Sequence, residues 1–335
     1  AFTTQVTGTL GHSLYTGNTY KDWYGTPSPS VYDWFPDFTI GSFTGLNQAT
    51  WTVTSNSKYV LYGGEFMKVN SVGQQGLVRF AIPSIAPNKQ GPLHGSTYWP
   101  LNVRSIQPGT ARLAFPANTD RDDLTLAYKI VRDGDTAHPI STTTSDSTFW
   151  NLPTLGYLDT GLAPGSTHTY RVYASDPNGN VNVTAPVSVT VTTTPISAYA
   201  NRVINDGATT FWRLDEPSGT AVADWAGFND GVAGSGVTRN ITGAILGDTD
   251  TASGFSGTSA GVVASQTPIP GPNTFTISAW FKTTTHSGGK IVGFGDANTG
   301  NSGSYDRHIY MDNSGKIYFG VYPGSVQTVT SAKSY

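Results

Sequence analysis

Cysteine is absent from the 335 residues. That excludes disulfides, thiol catalysis and cysteine-ligated zinc together. Glutamate is almost absent, with only Glu65 and Glu216. Long surface helices lean on Glu, Lys and Ala, so few are expected. Charged residues make up 12% of the chain, half the ~25% of an average soluble protein. The net charge of −3 offers no basic field to nucleic acid or anionic lipid. No stretch approaches the ~18 consecutive apolar residues of a membrane helix, so membrane insertion is not expected. What fills the space is Gly 39 and Pro 20 with much Thr and Ser, and aromatics at 12%. Those rings are too many for a disordered chain and call for a packed, all-β protein. A Lys-poor, Thr/Ser/Gly/Asn-rich chain fits an extracellular or cell-surface location. Ala1-Phe2-Thr3-Thr4 has neither the charged start nor the apolar core of a secretory leader, so a mature, cleaved product or a fragment is expected.

The length suggests two or three domains, and the patterning divides the chain into three blocks. In residues 1–92, Trp51-Thr52-Val53, Tyr59 to Gly64 and Gly76 to Phe80 read as strands, with Gly63-Gly64-Glu65-Phe66 between them. In residues 93–193 the strand-like runs are Ala111–Phe115, Leu124–Arg132, Thr167–Ser175 and Val187–Thr193. Asp133-Gly134 ends one of them in a tight turn. Residues 194–335 open with the one strong helix candidate, Thr194 to Asn205. There Ile196, Tyr199, Ala200, Val203 and Ile204 recur at helical spacing, Thr194 is placed to cap and Gly207 to terminate. Phe275, Ile277, Ala279 and Phe281 then share one face of a predicted strand.

Three resemblances attach to these residues. Leu162-Ala163-Pro164-Gly165 ahead of Tyr170, with Tyr128 to Gly134 upstream, resembles the fibronectin type III pattern, in which the tyrosine hydroxyl closes a corner. Many members place a core Trp where this chain has Leu113-Ala114-Phe115. Trp212-Arg213-Leu214-Asp215-Glu216, followed by Phe275 to Lys282, resembles the laminin-G-like, concanavalin A-like jelly roll of bacterial surface proteins, here stopping short of its last strands. The Gly-Gly-Glu-Phe stretch looks like the terminal blade or blades of a β-propeller whose beginning is missing. Together they resemble actinobacterial-type secreted multidomain surface proteins. The resemblance implies a binding or adhesion protein whose jelly roll engages a glycan or an extracellular protein, with other chains or segments completing both ends. The alternatives are a structural subunit of an extracellular assembly or phage tail, or an accessory region of a secreted carbohydrate-active enzyme.

Chemistry is sparse. A glycosidase needs two carboxyls ~5–9.5 Å apart, but Glu65 and Glu216 lie in different blocks. Asp215 and Glu216, as strand neighbours, would face opposite ways. No enzyme is therefore expected in these residues, which leaves open an Asp pair contributed from separate loops and a catalytic domain outside them. Gly257-Thr258-Ser259-Ala260-Gly261 spells a nucleophile elbow, but it lies between two short strands and reads as a hairpin turn. The histidines (His12, His94, His138, His168, His286, His308) show no metal-binding spacing. Calcium is the more credible ion. Asp296-Ala297-Asn298-Thr299-Gly300 starts like a calcium loop, but Arg307 stands where the closing Glu belongs. The jelly-roll resemblance implies a rim site, with Asp224, Asn229 and Asp306 the nearest equivalents. The aromatic candidates for stacking on sugar rings are Trp225, Tyr305, Tyr310, Tyr318 and Tyr322. Asp176 to Asn180 reads as a turn with no further role.

Overall fold

A computed structural model describes residues 1–12, 21–87, 90–285 and 287–335. His286 lies outside the described residues. The protein is mostly β, 40% strand, with one short helix. Among the described residues no helix is long and apolar enough to cross a membrane. The chain forms two compact units, each assembled from three segments. One comprises Ala1–Val103, Phe115–Pro153 and Thr167–Val189, the other Arg104–Ala114, Thr154–Ser166 and Thr190–Tyr335.

In the first unit, Thr50–Ser55, Tyr59–Gly64 and Leu77–Ala81 form a three-stranded antiparallel sheet. Beside it, Lys68–Val69 and Val72–Gly73 pair across a turn at Asn70 and Ser71, whose φ values of 49° and 67° suit a primed hairpin turn. Phe66, Val69 and Val78 form the core here, packed by Phe38, Ala49, Tyr62 and Phe80. A fully buried phenylalanine such as Phe66 contributes about 1.5–3 kcal/mol. The outer strand Thr50–Ser55 is exposed along its whole length.

The same unit contains a sheet in the order Ser141–Asp146, Thr125–Arg132, Thr167–Ser175, Val181–Val183. Its two central strands follow the alternation expected of them. Leu126, Tyr128 and Ile130 are buried on one strand, and Tyr170, Val172 and Ala174 on its neighbour. Asp133 and Gly134 both have positive φ, and Asp133 binds the neighbouring strand by accepting from Thr169 N (2.8 Å) and contacting His168 Nδ1 (2.7 Å). Trp99, Phe115 and Tyr128 pack ring to ring, and the Trp99 indole donates to Pro116 O at 2.8 Å. A buried indole thus comes from Trp99, ahead of the Leu113–Phe115 strand that lacks one. The sequence reading missed the strands Ser141–Asp146 and Thr154–Thr160. The first is a Thr/Ser run with no apolar alternation to betray it.

The second unit takes in most of the sheet Thr154–Thr160, Thr110–Pro116, Asn102–Arg104. It therefore combines strands of the middle block with the C-terminal block. Arg112, only 2% exposed, pairs with Asp230 at 3.0 Å and donates to Gly227 O at 2.5 Å. The ring of Phe228 lies against Gly156, where a Cβ would fall 2.1 Å from it. The helix runs Ala198–Asn205, starting later than its apolar periodicity suggested. Ser197 caps it by accepting from Ala200 N, whereas Thr194 lies in a local turn where its backbone N donates to Thr192 Oγ1. Gly207, at φ 86°, follows its end as expected.

Three sheets complete this unit. They are Ala221–Val222 with Gly231–Ala233 and Val263–Ser265, the pair Val237–Thr242 and Thr251–Phe255, and a four-stranded sheet of Gly289–Gly295, Tyr305–Met311, Lys316–Val321 and Gln327–Ser334. Two expectations change. The 257–261 loop is not a hairpin turn, since the strands on either side of it belong to different sheets. Residues 274–282 are not in a strand, because none of the described residues forms a ladder with them. Phe275 and Ile277 are half-buried there, but Phe281 and Trp280 are exposed, and the Trp280 indole donates to the Tyr199 hydroxyl at 2.8 Å.

Candidate functional site

The candidates from sequence fall into two groups, both in the second unit. The first is centred on Asp224, which is 0% exposed. Its Oδ1 accepts from the backbone N–H groups of Phe211, Ala226 and Gly227, and its Oδ2 from Asn229 N, all at 2.8–3.0 Å. The side-chain amide of Asn229 donates to Thr210 Oγ1 at 3.1 Å, and its backbone carbonyl accepts from the Trp212 indole at 2.8 Å. Four N–H donors on one carboxylate make Asp224 the organiser of the 224–229 turn.

Trp225, next along, borders a cleft of ≈ 450 Å³ together with Arg213, Asp215, Asp248, Asp250 and Pro195. The Arg213 guanidinium lies 4.1 Å over the Trp225 ring and pairs with Asp215 at 3.5 Å and with Asp250. Leu214 has φ 62°, so this segment is not a regular strand. As a result Asp215 and Glu216 line one adjoining hollow instead of facing opposite ways. Each is bound to a cation, Asp215 to Arg213 and Glu216 to Arg239. Glu216 also accepts from Ala223 N at 2.6 Å. Burial raises the Asp215 pKa above the usual carboxylate range against the pull of Arg213, and the neighbouring Glu216 charge raises it further.

The second group lies on the four-stranded sheet. Tyr310 and Tyr318 are directly opposite across two strands and stack at 5.0 Å with 10° between ring planes. Both are half-buried, so they act as a sheet-stabilising pair. Tyr305 and Tyr322 are instead 65% and 59% exposed. Asp306 links them, for it follows Tyr305 in the chain and its Oδ1 accepts from Tyr322 N at 2.7 Å. The same oxygen accepts from Arg307 N, and Oδ2 takes the Arg307 guanidinium. Burial pushes the Asp306 pKa up, but these N–H groups and the Arg307 charge outweigh it and hold the pKa below the usual value. His308 stacks on Tyr305 at 4.9 Å.

The proposed calcium rim does not fit this arrangement. Asp224 and Asn229 share one turn, but Asp306 belongs to another sheet and is held by Arg307. The oxygens of Asp224 are already saturated with backbone donors. Asp296 likewise gives its carboxylate to Gly303 N and Ser304 N. Of the described histidines, His12, His138 and His168 contact Asp22, Asp135 and Asp133, and His308 contacts Phe294 O.

A group that sequence reading passed over lies in the first unit. Asp120, Asp122 and Asp123 offer carboxylate oxygens within 4.8 Å of one another, close enough to hold a metal ion. The signal was there to see: Asp120-Arg121-Asp122-Asp123 is a run of four charged residues in a chain with 12% charge. The Asp176–Asn180 turn, to which the sequence assigned no other role, adjoins this group, with Asn178 Nδ2 donating to Asp123 Oδ2 at 3.3 Å.

No curated protein matches the chain. Residues 256–335, which include Tyr305, Tyr310, Tyr318 and Tyr322, match a family model described as the concanavalin A-like lectin/glucanases superfamily, of the laminin G type. The match covers the four-stranded sheet and lies within the block that the sequence assigned to a jelly roll. Residues 256–335 are therefore a concanavalin A-like, laminin G-type domain in a mostly β chain.

Proposed function

We propose that the protein is a non-catalytic recognition protein of the extracellular space or cell surface. Its concanavalin A-like domain engages a glycan through Tyr305 and Tyr322. The observation that carries this reading is the exposed tyrosine pair on either side of the Asp306–Arg307 ion pair, inside the matched residues. An exposed ring offers its face to the C–H side of a sugar, while fixed charged groups accept and donate hydrogen bonds to hydroxyls. A shallow polar surface of this kind binds weakly, and multivalent display compensates. The absence of catalysis is supported by the pairing of Asp215 and Glu216 with arginines, which suits structure more than proton transfer. The fibronectin-like sandwich serves as a spacer, and the 1–92 block as part of a propeller-like neighbour.

A protein ligand is the second reading. It is favoured by Gln327–Ser334, which is the last strand of its sheet and exposed at nearly every position, including Val329. An open, exposed edge is a template for pairing with another chain. The test is a glycan array with the intact chain beside a Tyr305→Ala/Tyr322→Ala variant and a Trp225→Ala variant. Binding that disappears only in the tyrosine variant supports the first reading. Binding unaffected by it moves the site to the Trp225 cleft. No glycan binding at all leaves the protein-ligand reading, to be checked by self-association measurements. Any turnover of an oligosaccharide substrate would overturn the non-catalytic assignment.

A further inference from the structure

The 120–123 turn has an additional member that its spacing does not reveal. Asp33, nearly 90 residues upstream, lies beside it in the same unit, where Phe35 N donates to Arg121 O at 2.7 Å. Both carboxylate oxygens of Asp33 are buried and have no hydrogen-bond partner among the described residues. Asp120 is 4% exposed; its Oδ1 accepts from Asp122 N at 3.3 Å, while its Oδ2 is buried with no partner. A buried charged oxygen without a donor costs free energy that folds do not normally tolerate. Oxygens of this kind, on carboxylates that feel one another's charge, need a donor or a cation.

Among the described residues, Arg121 and the Ala1 amino group do not fill that role. Arg121 sits within the run, but its guanidinium turns away to Gln90 Oε1 at 3.3 Å and to Asp37 at 3.9 Å. The Ala1 amino group lowers the Asp33 pKa slightly from its position at Trp34 O. Burial first, then the charges of Asp120 and Asp123, raises Asp33 to about 6. Burial, the hydrogen bond and charge of Asp120, and the charges of Asp123 and Asp176 raise Asp122 to about 7.

We propose that Asp120, Asp122 and Asp123, with the carboxylate of Asp33 beside them, form a site for one hard divalent cation of the calcium class, which clamps the 33–37 segment to the 120–123 turn. Only oxygen donors are present, which excludes softer metals by ligand type. An irregular set drawn from two distant segments suits the flexible coordination of calcium better than the strict octahedron of magnesium. The clamp is separate from the glycan-binding surface, and it holds whether or not that reading survives.

Calcium titration of the full chain after chelator treatment tests the site. One ion per chain is expected, with a dissociation constant of about 10⁻⁴ M or tighter. Calcium should also raise the melting temperature. Terbium in its place should luminesce when tryptophan is excited, since Trp34 adjoins Asp33. Asp33→Asn and Asp122→Asn should each weaken binding by roughly tenfold or more, while circular dichroism without the ion shows the variants folded. Asp306→Asn should bind as the parent does. Absence of uptake at millimolar calcium would overturn the proposal, leaving a proton shared among the carboxyls as the explanation. Binding that persists in the Asp33→Asn/Asp122→Asn double variant, or that is lost in Asp306→Asn, would overturn it equally.

Discussion

Two buried aspartate sites in this chain solve the same problem in opposite ways. Asp224 sits at the centre of a turn that directs four backbone N–H groups at its two oxygens. Asp33 and Asp120 present three buried oxygens to which no donor is directed among the described residues. Both sites consist of aspartates in loops, and composition alone would rank them alike. The difference is in the backbone. Around Asp224 the chain closes on itself within a few residues, so its own amides converge on the carboxylate. Around Asp120 the neighbours are other carboxylates, and the nearest arginine is engaged elsewhere. A carboxylate satisfied by amides is a structural part, whereas one left unsatisfied calls for something from solution.

Truncating the satisfied site should do the most damage. Asp224→Ala leaves four buried N–H groups without an acceptor and should cost about 4 kcal/mol in denaturant unfolding. A loss below about 1 kcal/mol would mean that the turn holds without its carboxylate and would collapse the contrast. Next comes Arg112→Met, expected to cost about 3 kcal/mol by leaving Asp230 buried without its cation. Because Asp230 also accepts from Asp224 N at 2.9 Å, the Arg112→Met and Asp224→Ala losses should be non-additive by about 0.5 kcal/mol or more in a double-mutant cycle.

Buried oxygens of the first unit can also be satisfied by the backbone, and Tyr128 makes that testable. Its hydroxyl accepts from Asn118 N and donates to Asn118 O. Burial raises its pKa from 10.0 to about 12, against the lowering effect of its hydrogen bonds. Below pH 10 the phenol is neutral in both folded and unfolded chains, and its contribution is intact. Between pH 10 and 12 only the unfolded chain releases the proton, so stability falls as pH rises, by about 2 kcal/mol. Unfolding of Tyr128→Phe should lack that component; an identical pH profile would show that the phenol is not held neutral.

A change of sign gives the sharpest test. In calcium-free buffer Asp33→Asn should stabilise the protein by about 1 kcal/mol, because it removes a buried, repelled charge. Asp224→Asn should destabilise it. Matching signs in thermal melts would erase the distinction between the sites. The smallest expected effect belongs to the exposed tyrosines. Tyr305→Ala and Tyr322→Ala should leave stability within about 0.5 kcal/mol while abolishing glycan binding.

Much of the strand pattern was legible where apolar residues alternate. Thr167–Ser175 is the strand that was predicted, and Thr125–Arg132 differs by one residue. Ser141–Asp146 was invisible because a Thr/Ser strand has no periodic apolar face. The helix was found but started too early, since its apolar spacing extends upstream of the residue, Ser197, that caps it. Asp224, Trp225 and Asn229 lie in one turn, being neighbours in the chain. Asp306 lies on a strand of the four-stranded sheet, and no sequence signal reports which sheet a residue belongs to.

Composition and patterning by themselves determined that the chain is mostly β and that it depends on no disulfide. These properties follow from residue type and from the period-2 geometry of strands, which are local and survive in one dimension. Tertiary structure alone decided which carboxylates have partners and which rings face solvent. Arg112 meets Asp230 across more than a hundred residues, and Asp33 meets Asp120 across almost ninety. Electrostatic and hydrogen-bond energies depend on distances of a few ångströms, and only folding brings such remote residues that close.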